Sequence, residues 1–193
     1  KKMIVVKEKG KKEMESVWGE EGVAIYGRVG LTHGDGATSF SVSHEKSDGF
    51  DVKNDSETDK DGFSYHSFAL NGQQKVNQVL VLDWLAQVDQ GDTEYDNSYG
   101  ANESEVNNHV WQLGASYNWQ VAGVNQITKV SIGQNRTSNI GHGNGISKSE
   151  GSRFDSRRDQ YSLLNSSQLS AQWQLNLGVD LYQETLKGDD EYD

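Results

Sequence analysis

The sequence predicts an all-β fold: an antiparallel transmembrane β-barrel wall of about eight strands, with its long loops gathered on one side. Three observations lead there. Apolar and polar residues alternate with a period of two, tryptophans are spaced to meet both edges of a bilayer, and the connections alternate short with long.

Composition alone is ambiguous. Of 193 residues only 33% are hydrophobic and the net charge is −11, with a mean hydropathy of −0.80. Such a balance suits a chain without a packed core. Five Trp, eight Tyr and five Phe contradict that. A barrel wall reconciles the two, because its outward face is apolar while its inward face and loops are polar.

The alternation is cleanest over 110–120, where Trp111, Leu113, Ala115, Tyr117 and Trp119 oppose Gln112, Gly114, Ser116 and Asn118. Segment 171–182 sets Trp173, Leu175, Leu177, Val179 and Leu181 against Gln172, Gln174, Asn176, Gly178 and Asp180. Segment 78–88 sets Leu80, Leu82, Trp84, Ala86 and Val88 against Asp83 and Gln87. Weaker versions occupy 23–33, 38–44, 63–71, 127–135 and 160–168. Trp111 and Trp119 stand ~26 Å apart along an extended strand. At a tilt of ~40° that covers ~20 Å of the membrane normal, near the spacing of the two aromatic girdles.

Short connections fall at Gly34-Asp35-Gly36, around Gly72–Asn77, at 121–125 and near 168–171. Long polar ones fall at 46–62, 89–108 and 136–158, with a fourth beginning at 186. Outer-membrane barrels sort their loops in this way. A soluble sandwich with one solvated face, the rival reading of the alternation, has no reason to. Residues 1–22 stand outside the pattern, with six Lys and five acidic residues around Met3-Ile4-Val5-Val6. They read as a charged leader or plug remnant, with the barrel strands in 23–193. No secretory signal is legible in them, the apolar tetrad being too short, so export is inferred rather than read. No run of ~18 apolar residues offers a membrane helix.

The densest chemical signal lies in the first two long loops. Glu45, Asp48, Asp51, Asp55, Glu57, Asp59 and Asp61 crowd the first, and Asp89, Asp92, Glu94, Asp96, Glu103 and Glu105 the second. Crowded carboxylates raise one another's pKa unless a cation intervenes. Oxygen donors in a flexible loop suit Ca2+. An EF-hand beginning at Glu57 fails, because its twelfth position would be Phe68. The acidic balance excludes nucleic acid as a partner, and the absence of Cys excludes disulfides and thiolate metal sites. His33, His44, His66, His109 and His142 lack metal-ligand spacing and read as lumen, loop or girdle residues. Gly141-His142-Gly143-Asn144-Gly145 precedes no helix, so a phosphate loop is not expected. Nothing sets a general acid against a base, so an enzyme is not expected.

Asp48-Gly49-Phe50-Asp51-Val52, Thr58-Asp59-Lys60-Asp61-Gly62-Phe63 and Tyr95-Asp96-Asn97 resemble the extracellular calcium loops of TonB-dependent outer-membrane receptors of the cobalamin-transporter family. The resemblance runs from about Ala37 to Asp193, with loops and turns in matching order. It implies that Asp51, Asp59 and Asp61 supply carboxylates, and that Tyr95, through its carbonyl, and Asp96 join them around Ca2+. It also implies a bilayer of the outer membrane as surroundings, cobalamin as ligand and TonB as energy source through segments outside this chain. The family's barrel has twenty-two strands, and this chain resembles the second through ninth. Ala24-Ile25-Tyr26-Gly27 resembles the end of the family's plug, and no TonB box is legible in 1–22. Two other readings remain at this point: a self-contained eight-stranded structural barrel, and a soluble calcium-binding β-sandwich.

Overall fold

The computed structural model describes residues 3–8, 12–18, 22–49, 60–97 and 99–189, the first two stretches as strand backbone. Ten strands run in chain order: β1 (Met3–Glu8), β2 (Lys12–Trp18), β3 (Gly22–His33), β4 (Gly36–Ser47), β5 (Phe63–Lys75), β6 (Leu80–Glu94), β7 (Glu103–Val121), β8 (Val124–His142), β9 (Arg153–Gln168) and β10 (Gln174–Gly188). They form one antiparallel meander in which every strand pairs with its sequence neighbours. β3 to β10 correspond to the eight strands read from the alternation. β1 and β2 extend the sheet within the charged leader. The sheet is open, with β1 and β10 at its edges.

Register explains why the alternation is so clean. Facing residues share a side of the sheet, and one row runs Trp84, Leu113, Ile132, Tyr161, Leu181 across β6 to β10. The next row runs Leu82, Ala115, Val130, Leu163, Val179. A further row on β4 to β7 joins Phe40, Leu70, Ala86 and Trp111. The opposite face carries hydrogen-bonded polar ladders. Arg28 donates to Ser39 at 3.0 Å and Ser39 to Asn71 at 2.9 Å. Asp89 accepts from Ser67 at 2.5 Å and from Asn108 at 3.2 Å, and Thr137 donates to Asn108 at 3.0 Å.

Among the described residues no hydrophobic side chain is buried. Trp111, Leu113, Trp173 and Leu175 are 38%, 55%, 72% and 43% exposed. A sandwich would bury these four between two sheets. The described residues form one sheet, so the β-sandwich reading does not describe their architecture.

The strands outrun their sequence signal. β7 and β8 each hold 19 residues, so the connections expected at 89–108 and 136–158 shrink to 95–102 and 143–152. Pairing continues where the alternation has stopped: on the apolar face of β7, Trp111 is followed toward the loop by His109, Asn107, Glu105 and Glu103. The short connections are tight turns. Val121 pairs with Val124 around Ala122 at φ 50° and Gly123 at φ 80°, the two positive φ values of a type I′ hairpin.

Candidate functional site

The long-loop ends of β5 to β8 are joined by a chain of backbone hydrogen bonds. Glu94 N–H donates to the Gly62 carbonyl at 2.8 Å, Tyr95 N–H to Asn102 at 2.9 Å, and Asn102 N–H to His142 at 3.0 Å. Asp61 therefore precedes, and Tyr95 and Asp96 follow, a directly bonded pair, Gly62 and Glu94. Three of the five ligands expected from sequence are thus held at neighbouring strand ends. Asp51 and Asp59 lie outside the described residues.

Gly49 fixes the base of the first loop. It has φ +66°, and a Cβ there would overlap the Asp61 carbonyl. Only glycine permits so close an approach in that conformation. Its amide donates to Ser47 Oγ at 3.1 Å, while Gly62 N–H reaches Glu94 Oε2 at 3.1 Å. A cavity of about 280 Å³ opens between Asp48, Lys60, Gly62, Asp92, Glu94 and Glu103. Lys46 and Lys60 line it beside Asp48, Asp92, Glu94 and Glu103, and Asp61, Tyr95 and Asp96 do not; the carboxylate oxygens at this end are donors of the kind Ca2+ takes.

Beside it lies a second cluster that spacing could not reveal. Asp92 and Glu105 are cross-strand partners, and Glu103 faces His142. One ligand atom each from Asp92, Glu105 and His142 lie within 4.8 Å of one another. His142 is 6% exposed, with Nδ1 3.3 Å from Glu103 Oε2 and Nε2 4.0 Å from Asp92 Oδ1. The connection 143–152 folds back over this cluster. Gly143 and Ile146 exchange both backbone hydrogen bonds at 2.9 Å around Asn144-Gly145, whose positive φ values again give a type I′ turn. A following turn, with Gly151 N–H on the Ser147 carbonyl at 2.9 Å, swings Lys148 onto Glu105 and to 3.4 Å from Asp92. The Lys148 hydrogen bond holds the Glu105 carboxyl below its usual range, and the same contact raises the Lys148 ammonium.

Sequence context gives His142 only a lumen, loop or girdle place. The signal that could have found it is register, which sets Glu103 opposite His142 and Asp92 opposite Glu105.

No family model matches the chain, and no curated protein matches it at a significant level.

Proposed function

We propose that this chain is part of the wall of an outer-membrane β-barrel receptor that captures cobalamin through calcium-ordered extracellular loops. The observation that carries the membrane part is the course of the exposed apolar stripe. On β4 it is centred between Phe40 and Val42, whose rows reach Ala86 and Val88 on β6. On β10 it runs from Leu175 to Leu181, centred at Gly178, whose row reaches Leu164, Lys129, Ser116 and Val81. From the midpoint of Ala86 and Val88 to Val81 is six residues, over the six steps from β4 to β10. Between these two ends the stripe slides by an average of one residue per strand. With ~3.3 Å per residue and ~4.8 Å between strands, a level belt then requires strands tilted by about 35°. Transmembrane barrels tilt their strands by ~35–45°.

A sheet this apolar on one face and polar on the other meets two different surroundings. Hydrocarbon on the stripe side and a hydrated lumen on the ladder side satisfy both. Strand length agrees. About 10 tilted residues cross a bilayer, and the remainder of β7 and β8 projects past Trp111 toward the loops.

The receptor part rests on the resemblance of the loop motifs and on the gathering of Asp61, Tyr95 and Asp96 at adjacent strand ends. Bound calcium would supply the positive charge and the six to eight oxygen positions that relieve carboxylate crowding. Asp61 and Asp96, with the Tyr95 carbonyl, would hold it from the described loops. The loop bases, clamped through Gly49, Gly62 and Asn102, would then present an ordered surface to a large amphipathic ligand. Preordered loops lose less entropy on capture.

Calorimetric titration of the chain in detergent with CaCl2 and with cyanocobalamin, with and without EDTA, tests this. Calcium binding that weakens in the double variant Asp59→Asn, Asp61→Asn, and cobalamin binding that disappears with EDTA, are expected. Unchanged calcium binding in the double variant removes the calcium assignment. Cobalamin binding that ignores EDTA removes the loop-ordering mechanism. Absence of cobalamin binding leaves a purely structural wall.

A further inference from the structure

We infer that Asp92, Glu105 and His142 form a second cation site, selective for a divalent transition metal of the Zn2+ class and built from residues other than the expected calcium ligands. This site stands independently of cobalamin capture. Acidic residues alone would not carry it, since exposed carboxylates are common. The deciding observation is His142, whose imidazole is buried and whose Nε2 has no hydrogen-bond partner. Buried polar atoms are nearly always satisfied. This one faces the Asp92 carboxylate at 4.0 Å, too far for a hydrogen bond.

The other ring nitrogen is also accounted for. Nδ1 lies 3.3 Å from Glu103 Oε2. A carboxylate on one imidazole nitrogen orients the ring, fixes the tautomer and raises the basicity of the other, as the outer carboxylates of metal-bound histidines do. With the proton drawn to the Glu103 side by this ion-pair contact, the Nε2 lone pair would face Asp92.

Charge points the same way. Asp92, Glu103 and Glu105 bring three negative charges, against which Lys148 sets one. Lys148 is half-exposed and stands on a turn closed by the Ser147 carbonyl. Its ammonium therefore acts as a removable counter-ion at the place a metal would take. Tetrahedral zinc with ligands at ~2.0–2.2 Å separates them by about 3.4 Å. The present spacing of up to 4.8 Å closes to that by side-chain rotation once the ammonium leaves. One imidazole with two carboxylates favours Zn2+, Co2+ or Ni2+, whereas Ca2+ and Mg2+ prefer oxygen alone. A metal there would staple the ends of β6, β7 and β8, and would stand beside the cavity at the strand ends that Asp92 and Glu103 also line.

The test uses the full chain in detergent, without a histidine tag, titrated with ZnCl2 against a chromophoric chelator and with CoCl2 by visible absorption, in excess CaCl2. One equivalent of Zn2+ is expected to bind despite the calcium, with a cobalt spectrum carrying an imidazole contribution. His142→Asn should weaken binding by about 100-fold or more, and Glu103→Gln by about 10-fold through the ring's orientation. Lys148→Met removes a half-exposed counter-ion from Glu105 and Asp92 and should tighten binding, which keeps the test decisive if His142→Asn misfolds. Zinc binding unchanged in a folded His142→Asn, displaced by calcium, or not tightened by Lys148→Met overturns the proposal.

Discussion

The Lys129 ammonium reaches the Asp83 carboxylate at 3.0 Å across β7, passing over Gly114, the cross-strand partner of Asp83. The pair lies on the polar face, and glycine at 114 is what makes room for it. A methyl group built there would overlap both carboxylate oxygens of Asp83. Gly114→Ala should therefore push the carboxylate aside and break the contact, with a loss of about 1 kcal/mol or less, since both charges are partly solvated. In a background already carrying Lys129→Met the same substitution should cost less. Urea unfolding of the four chains in lipid measures the difference, and equal costs in both backgrounds would refute the coupling.

The turn between β7 and β8 holds a correctable strain. Ala122 sits at φ 50° before Gly123 at φ 80°, and an alanine in the left-handed region costs roughly 1 kcal/mol. Asn-Gly is the favoured pair for this turn. Ala122→Asn should stabilise the chain by about 0.5–1 kcal/mol, and Ala122→Val should destabilise it by a similar amount. Opposite signs are required in equilibrium unfolding. A neutral Ala122→Asn would mean that the turn is not held in this conformation.

Legibility in the sequence followed the surroundings of each strand. Between Trp111 and Trp119 the two faces differ, and the reading of 110–120 as a strand holds to within a residue at the turn end. Beyond Trp111 the alternation fades, so Glu103 to His109 read as loop although β7 pairs through them. Strand pairing there is set by backbone hydrogen bonds and register, which leave no period in composition. The same holds for β8 beyond 135 and for β1 and β2, where Met3 to Val6 form an unbroken apolar run and Lys12 and Glu13 put charge on both faces. Asp61, Tyr95 and Asp96 could be singled out only through the resemblance of their loop motifs, which are local in sequence. The Asp92, Glu105 and His142 cluster could not, because three different strands build it.

The contact between Lys148 and Glu105 sets a pH window. The Glu105 carboxyl is lowered from its usual 4.5 by Lys148, so its stabilising share is present above that pH and is lost as pH falls through the depressed value. The Lys148 ammonium is raised from 10.5 by Glu105, so its share is present below 10.5 and is lost as pH rises through the elevated value. Between about pH 5 and 10 the coupling energy of the pair should be flat. A double-mutant cycle with Glu105→Gln and Lys148→Met, read by thermal unfolding without added metal, should give a coupling of ~1 kcal/mol or less. Coupling that strengthens in acid would contradict the pairing.

The two faces of β7 and β10 offer the sharpest test of what they meet. Leu113 and Leu177 lie on the apolar stripe, 55% and 63% exposed, whereas Gln112 and Asn176 beside them face the polar side. In water an arginine at any of the four positions would be tolerated, because surface substitutions cost within ~0.5 kcal/mol. Against hydrocarbon the stripe positions would each cost ~2–4 kcal/mol near the midplane, while a hydrated lumen accepts the charge. Leu113→Arg should therefore destabilise the chain folded in lipid vesicles far more than Gln112→Arg, and Leu177→Arg far more than Asn176→Arg. Along β7 the penalty should also fall toward the loop, so that His109→Arg, past Trp111 on the same face, is nearly neutral. Four equal and small effects would mean that the stripe faces water or a protein partner of polar character, and the tilt of about 35° drawn from its course would then describe no bilayer.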